Sequence, residues 1–395
     1  MKKATRQHTK AHNSRLILKL LYKHEDISRA EISRLTGLTR TTVSDAVAGL
    51  MDKGIVAEVG VGPSLGGKPP ILLGIQENSR DLIGVDLANS EFRGSIINLR
   101  GKIKHQMVLP IYDGNGDAAL SLVYRLIDEL LAKAENPVLG IGIGVPGLMD
   151  PHRRGVRKAV NLDWHDVMLG DLLEKRYSLP VHIANDCQAA ALAECLFGEA
   201  QDVANMVVLK VGRGTGAGII LNNQLYFGDG FGAGEIGHVV VAENGERCLC
   251  GHYGCLETVT SMRSIIRRAR GQFNDNGSSV LRQMAASPAD INSEIVIKAF
   301  QNGDAGLKAV VQEAGRYLGI AVANLVCALN IRRIVVAGSV SRFGEALLEP
   351  IRAEVAERSL ASLAGDTRIK LTTLEPDIVT LGAGALLLSH ELGLP

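Results

Sequence analysis

Hydrophobic residues at helical spacing organise the first part of the chain. Apolar residues separated by three and four positions predict an amphipathic helix over residues 14–24. A Ser-x-x-Glu pattern at Ser28 and Glu31 predicts a capped second helix, which Gly37 ends. The pattern therefore indicates two short helices with a Gly-containing turn after the second.

A third helix is predicted after Thr39, because Val43, Val47 and Leu50 follow at positions i, i+4 and i+7. Two short strands follow, IVAEVG and PPILLGI, separated by a loop rich in Gly and Pro. Helix, turn, helix, strand, loop and strand together predict a winged helix-turn-helix that binds DNA. The predicted DNA contacts are the polar face of the third helix and the basic residue of the wing, namely Thr39, Arg40, Thr41, Thr42, Ser44 and Lys68.

Charge separates this segment from the rest of the chain. Residues 1–70 carry twelve Lys and Arg against six acids, whereas the remainder has a net charge of −5. A basic head on an acidic body favours a polyanion as the partner of the head. A small helical dimerisation domain is the alternative for the same helices.

From residue 81 the pattern changes to buried strands that alternate with helices. Strand, turn and strand open each of two similar halves, the first at DLIGVD and the second at NMVVLKV. This order predicts two α/β lobes with a cleft between them. The predicted domains are a DNA-binding head over 1–75, a first lobe over 76–190 and a second lobe over 191–395. In an alternative division, the closing helix returns to the first lobe.

Composition limits the classes of protein that remain. An apolar fraction of 46% is ample for a buried core. No stretch of 18 apolar residues is present, and no apolar segment follows the basic N-terminus, so neither a membrane span nor a signal peptide is expected. We therefore expect a cytoplasmic protein whose six cysteines are reduced.

The segment GEIGHVVVAENGERCLCGHYGCLE concentrates candidate chemistry. His238, Cys248, Cys250 and Cys255 supply three thiolates and an imidazole, which is a closed ligand set for structural zinc. A redox-active cysteine pair is the alternative. The other three cysteines lie in apolar helical contexts and are predicted to be core residues: Cys187, Cys195 and Cys327.

Several motifs of the body resemble the ROK family of repressors, open reading frames and sugar kinases. They are GVPGLMD, NLDW, ANDCQAAALAE, GRGTGAGII, GAGEIGH, CLCGHYGCLE and VVAGSV, and the resemblance covers about residues 80–390. It implies an α/β fold in which an N-terminal winged helix-turn-helix precedes a two-lobed sugar-kinase/actin-like body. With its head, the chain is similar to ROK repressors that respond to xylose, glucose or N-acetylglucosamine.

The resemblance also implies roles for individual residues. It assigns structural zinc to the His238 and cysteine set, and it assigns His238 to the sugar through its second ring nitrogen. The residues that it implies for sugar binding are Asn185, Asp186, Glu235, His238 and Glu257, with Gly147 and Asn161 as weaker candidates.

Phosphate motifs distinguish a sensor from a kinase. The residue matching Asp186 is the base in ROK kinases, and Gly214 to Gly218 match one phosphate hairpin. The first hairpin, D-x-G-G-T in kinases, is Asp86-Leu-Ala-Asn-Ser90 here, and its side chains would obstruct phosphate. We therefore expect a sugar-responsive repressor of carbohydrate-utilisation genes, such as those of xylose metabolism.

Three further expectations concern partners. Operator DNA and a small sugar are the expected ligands, and a homodimer or a dimer of dimers is the expected assembly.

A ROK-type sugar kinase with a DNA-binding head is the alternative function. A sensor that meets a protein partner is a third class.

Overall fold

The chain is divided into two compact units. The computed structural model describes residues 6–63, 69–88, 91–111, 116–150, 154–199, 203–274 and 279–394. The first unit comprises Met1–Ala184 and Ala383–Pro395, and the second comprises Asn185–Gly382. Within the described ranges, no helix combines the length and the apolar character that a membrane span requires.

Three helices and a small sheet form the head within the first unit. The strand order is β1-β3-β2, and β2 and β3 are the antiparallel strands on either side of the predicted wing. The first helix starts earlier than the predicted residue 14, and the pattern did not predict β1. The elements are α1 (Arg6–Lys23), β1 (Ile27–Ser28), α2 (Arg29–Thr36), α3 (Arg40–Asp52), β2 (Val56–Val61) and β3 (Ile71–Ile75).

The predicted helix ends are formed by local hydrogen bonds. The Ser28 hydroxyl accepts the Glu31 N–H at 3.2 Å, but the Glu31 carboxylate pairs with Arg34 and does not complete a capping box. Gly37 ends α2 with a φ of 69°, a conformation that glycine adopts without strain. Thr39 caps α3 by accepting the Thr42 N–H at 3.2 Å. These caps fix both ends of the turn before α3.

A five-stranded sheet forms the body of the first unit. Its strand order is β11-β7-β4-β5-β6, with β4 parallel to β7 and antiparallel to β5. A three-stranded sheet, β10-β9-β8, lies beyond β7 in the chain. The elements are β4 (Asp81–Asp86), β5 (Glu91–Ile97), β6 (Ile103–Pro110), α4 (Asp117–Leu131), β7 (Val138–Val145), β8 (Leu148–Asp150), β9 (Gly155–Ala159), β10 (Trp164–Val167), α5 (Leu169–Tyr177) and β11 (Val181–Asn185).

Two arginines of this body contact the N-terminal head. Arg100, in the turn between β5 and β6, donates to the carbonyls of Tyr22 and Leu21 at the end of α1, and its guanidinium lies 4.7 Å from the centre of the Tyr22 ring. Arg80 donates to the carbonyl of Lys53, the C-cap of α3, at 2.7 Å. Positive side chains at helix C-termini satisfy carbonyls that have no partner within the helix.

The second unit contains a sheet of the same design. Its order is β14-β13-β12-β15-β16, with β12 antiparallel to β13 and parallel to β15. The elements are α6 (Asp186–Leu196), β12 (Met206–Val211), β13 (Thr215–Leu221), β14 (Gln224–Leu225), α7 (Glu257–Thr260), α8 (Met262–Asn274), α9 (Ser279–Met284), α10 (Ser293–Gln301), α11 (Ala305–Leu329), β15 (Arg333–Ala337), α12 (Glu345–Arg358), α13 (Ala361–Asp366), β16 (Arg368–Leu371) and α14 (Ile378–Leu387). The last helix begins in the second unit and ends in the first.

Each body has its own apolar core, as the buried strands predicted. Side chains of α4 and the strands fill the first core, and α11 and α12 pack over β12 and β15 in the second. Among the predicted core cysteines, Cys187 is buried and Cys195 half-buried. The prediction for Cys327 was wrong, because it lies on the exposed face of α11.

Candidate ligand site and metal centre

The start of α6 carries two of the predicted ligand residues, both in the second unit. Asn185 caps this helix, since its side-chain oxygen accepts the N–H groups of Cys187 at 2.8 Å and Gln188 at 3.4 Å. One oxygen of Asp186 also accepts the Cys187 N–H at 2.9 Å. Its other oxygen lies 2.7 Å from the ammonium of Lys210, on β12. The cap and the ion pair orient the Asp186 carboxylate.

Glu235 and Glu257 belong to the same group of charges. The Glu257 carboxylate accepts the Thr215 N–H at 3.0 Å, which ties α7 to the start of β13. Burial raises the pKa of Glu235; His238 lowers it, and the negative charges of Asp186 and Glu257 raise it further. Since His238, Asp186 and Glu257 all act on the Glu235 carboxyl, the structure places these three charged groups around Glu235.

His238 joins this group to the cysteine cluster. Its Nε2 lies 3.8 Å from Glu235, and its Nδ1 lies 3.6 Å from the sulfur of Cys248. The two ring nitrogens therefore face different partners, a carboxylate and a thiol.

The cysteine cluster has the geometry of a four-ligand metal centre. One ligand atom each from His238, Cys248, Cys250 and Cys255 lies within 4.8 Å of all the others. The Cys250 and Cys255 sulfurs are 3.6 Å apart. Tetrahedral zinc with bonds near 2.3 Å to sulfur requires sulfurs about 3.8 Å apart, so these side chains fit the ion with little movement.

His252, which the sequence analysis did not select, also contacts this centre. Its Nδ1 lies 3.5 Å from the Cys250 sulfur. Burial would raise the pKa of the Cys250 thiol, but hydrogen bonds from His252, Cys248 and Cys255 lower it to about 6. A thiol with a lowered pKa is readily a thiolate, the form that binds metals.

The glycine-rich segment of the second unit differs from the predicted phosphate hairpin. The turn between β12 and β13 is Gly212-Arg213-Gly214, and Gly216 and Gly218 lie on β13 itself. A Cβ atom at Gly216 would lie 2.7 Å from the Cys187 sulfur, and one at Gly218 would lie 2.1 Å from the Cys187 carbonyl. These two glycines therefore allow α6 to pack closely on β13, a packing role that the sequence analysis did not predict.

Two predicted ligand residues and the predicted DNA-contacting residues lie in the first unit. Gly147 has a φ of 116°, and Asn161 is exposed in a short 3-10 helix. On α3, Arg40, Thr41 and Ser44 are exposed, whereas Val43 and Val47 are buried. Of the remaining predictions, Lys68 of the wing and Asn89 and Ser90 of the first phosphate motif lie outside the described residues.

Lys210 is the main site residue that the sequence analysis missed. It stands in the otherwise apolar strand MVVLKV, and lysine is seldom placed within a buried strand without a partner. That exception to the apolar pattern could have identified it as a site residue, but its partner could not be deduced from the strand alone.

Comparisons with known proteins match the whole chain. Residues 82–390 match the ROK family and residues 11–57 match a winged helix-turn-helix DNA-binding domain. A xylose repressor of Caldicellulosiruptor bescii is 33% identical over 388 residues, which cover 97% of each chain. A solved ROK family transcriptional regulator, a homologue of the E. coli Mlc protein, is 28% identical with a TM-score of 0.84, and the match covers 98% of each chain.

Enzymes of similar fold match the body alone. A ROK family glucokinase from Streptomyces griseus, solved with glucose and AMPPNP, is 28% identical with a TM-score of 0.71. That match covers 78% of this chain and 98% of the glucokinase. The xylose repressor and the transcriptional regulator, in contrast, match over 97% and 98% of this chain.

Proposed function

The chain belongs to the ROK family, and from this membership we propose that it is a transcriptional repressor of carbohydrate-utilisation genes whose affinity for operator DNA changes when it binds a sugar. The observation that carries this proposal is a match to a xylose repressor over 97% of both chains, head included. D-xylose is therefore the first sugar to test.

The head supplies the features that DNA recognition needs. Arg40, Thr41 and Ser44 are exposed near the N-terminus of α3, where small polar side chains enter a major groove and contact phosphates. Thr39 and Thr42 are joined by a 2.9 Å hydrogen bond between their hydroxyls at the same end. The wing around Lys68 would add a contact to the DNA backbone.

The second unit supplies acceptors and donors for sugar hydroxyls. Asp186, Glu235 and Glu257 provide carboxylate oxygens, and the amide of Asn185 and the ring of His238 add polar atoms. Gly147 and Asn161 of the first unit stay weaker predictions. A sugar changes DNA affinity only if it binds one of two conformational states of the repressor more tightly than the other.

We assign a structural zinc to His238, Cys248, Cys250 and Cys255. A zinc ion with four protein ligands has no open position, so it would supply rigidity to the loop and no catalysis. The loop would then hold His238 and Glu235 in place for the sugar.

A kinase is the second candidate function, because the glucokinase likeness extends over the body and Asp186 is retained. The Asp186–Lys210 ion pair, the altered Asp86–Ser90 segment and Arg213 at the β12–β13 turn favour a sensor without phosphoryl transfer. Arg213 is partly buried, and this burial together with the nearby Arg263 lowers the pKa of its guanidinium.

The decisive experiment measures DNA affinity with and without sugar. Genomic fragments selected by the purified chain would be labelled, and their dissociation constants measured at one fixed salt concentration. D-xylose, D-glucose and N-acetylglucosamine are the probes. We expect one of them to change the dissociation constant at least tenfold, and a change below twofold with all three would refute sugar control.

A coupled ADP-release assay with the same sugars tests the kinase alternative. We expect no turnover above the rate without sugar, whereas sustained sugar-dependent ADP release would establish the enzyme. Paired half-sites in the selected DNA, with two chains per site, would support the proposed homodimer. We further propose that the protein works in the cytoplasm, where DNA and sugar are both accessible.

A further inference from the structure

Lys210 occupies an unusual place in the second unit. It lies on β12, the central strand of a five-stranded sheet, among side chains that are buried from Met206 to Leu209 and again at Val211. Its neighbours in register are Gly216 on β13 and Ala337 on β15. These small residues on both sides leave space for a long side chain to extend along the sheet.

The side chain of Lys210 ends at the start of α6. Its ammonium lies 2.7 Å from Asp186, and only 18% of the Lys210 side chain and 14% of the Asp186 side chain are exposed. An ion pair so poorly hydrated is specific in geometry, because removal of either side chain leaves the other charge with little access to water. The pair is therefore a built feature of the site and differs from the exposed ion pairs elsewhere on the surface.

This contact restricts what Asp186 does. One carboxylate oxygen is held by Lys210 and the other accepts the Cys187 N–H. A general base must be free to take and release a proton during reaction, whereas an acceptor for a sugar hydroxyl needs only a fixed direction. The ammonium carries three N–H donors, of which one is directed at Asp186.

We propose that Lys210 is a positioning residue of the sugar site, which holds the Asp186 carboxylate as a fixed hydrogen-bond acceptor for an uncharged sugar. This inference rests on the proposed sugar-responsive function. It adds that the Lys210–Asp186 pair contributes no net charge. The negative charges of Glu235 and Glu257 then remain, and they would repel the phosphate of a phosphorylated sugar.

Substitutions at both ends of the pair test the inference. Sugar dissociation constants would be measured by calorimetry, with the sugar to which the wild-type chain responds, for Lys210→Met, Lys210→Arg, Asp186→Asn and the Lys210→Met/Asp186→Asn double variant. We expect Lys210→Met and Asp186→Asn each to weaken binding at least tenfold. The double variant should bind as weakly as Asp186→Asn alone, and Lys210→Arg should return to within about threefold of the wild type.

The matched control is Lys370→Met, which removes another lysine from the same sheet. Lys370 pairs with Glu199 at 3.1 Å, but both side chains are more than half exposed, so sugar affinity should not change. The dissociation constant for operator DNA, measured without sugar, should stay within twofold of the wild type for every variant. This readout, with melting temperatures, separates a positioning role from a loss of fold.

Each outcome decides the inference. Wild-type sugar affinity in Lys210→Met would overturn it, as would single effects that multiply in the double variant. If Lys210→Met fails to fold, the Lys210→Arg variant still decides, because a soluble Lys210→Arg chain that has lost sugar binding contradicts rescue by charge. A wild-type chain that binds none of the three sugars would defeat the proposed function first, and this inference with it.

Discussion

The two five-stranded sheets of the molecule have the same design but serve different purposes. In each, the central strand, β4 or β12, has a parallel neighbour on one side and an antiparallel neighbour on the other. In the first sheet, the β5–β6 turn presents Arg100 to the carbonyls of α1. In the second, the central strand presents Lys210 to a carboxylate.

This difference shows how one sheet design supports a fixed contact with the N-terminal head in the first unit and the proposed sugar site in the second. Backbone carbonyls at a helix end need no further hydrogen-bond donor once an arginine has satisfied them. The first sheet therefore uses its arginine to hold the head and not to bind a ligand. The second unit gathers three acids, whose oxygens would bind the proposed sugar, next to a histidine and three cysteines, which would bind the proposed metal. The comparison predicts that damage to the second unit removes control by sugar but preserves DNA binding.

Loss of the metal should have the largest effect. Cys250→Ala removes one of four ligands from an exposed position without opening a cavity in the core. Structural zinc contributes on the order of 10 kcal/mol to the folding of small sites, so we expect loss of bound zinc and of the sugar response. Metal analysis and operator binding with sugar provide the measurement.

Cys327→Ala is the matched control, because Cys327 is also an exposed cysteine of the second unit. It should keep both metal and response. A Cys250→Ala chain with wild-type zinc content and sugar response would argue against the metal centre. A Cys250→Ala chain that no longer binds operator DNA without sugar would show that the second unit is also needed for DNA binding.

Arg40→Ala should have the next largest effect, and on DNA alone. A phosphate contact at the start of α3 is expected to be worth about 1–2 kcal/mol, so operator affinity should fall roughly tenfold. The slope of log affinity against log salt should decrease by about 1. Sugar affinity should stay at the wild-type value.

Arg332→Ala makes the same change of charge at a side chain of the second unit that is 72% exposed. It should leave the salt slope unchanged. An Arg40→Ala chain with wild-type operator affinity would mean that α3 does not contact DNA.

Arg100→Ala should have the smallest effect, below about 1 kcal/mol, because it removes partly exposed hydrogen bonds to two carbonyls and a contact with the Tyr22 ring. Hydrogen exchange should accelerate at the end of α1, while the second unit keeps its protection. Arg125→Ala, which removes an exposed pair on α4, is the control. Equal exchange in both variants would show that Arg100 does not hold the head.

Much of the local structure could be predicted because it depends on residues one turn apart. Ser28 and Thr39 cap their helices as expected, and Gly37 ends α2. The cluster of His238 with three cysteines also follows from residues close in sequence. The family was inferred correctly from motifs, since these motifs preserve the order of strands and turns.

Prediction from the sequence was incomplete where packing between distant elements decides the outcome. The apolar context of Cys327 predicted burial, but only the packing of α11 determines which of its faces is covered. Gly216 and Gly218 have the spacing of a phosphate loop, yet they are needed where α6 approaches β13. Composition and spacing do not distinguish a glycine that lets a phosphate approach the backbone from a glycine that lets a helix pack closely against it.

The sequence by itself determined the helix ends, the two α/β bodies, the family and the inventory of acids, histidine and cysteines. Only the tertiary structure decided which groups meet. Lys210 reaches Asp186 across 24 residues, and Arg100 reaches Tyr22 across 78. Such contacts depend on strand order and on the space between packed elements, because sequence periodicity specifies the buried face of a strand but not the partner that lies beyond it.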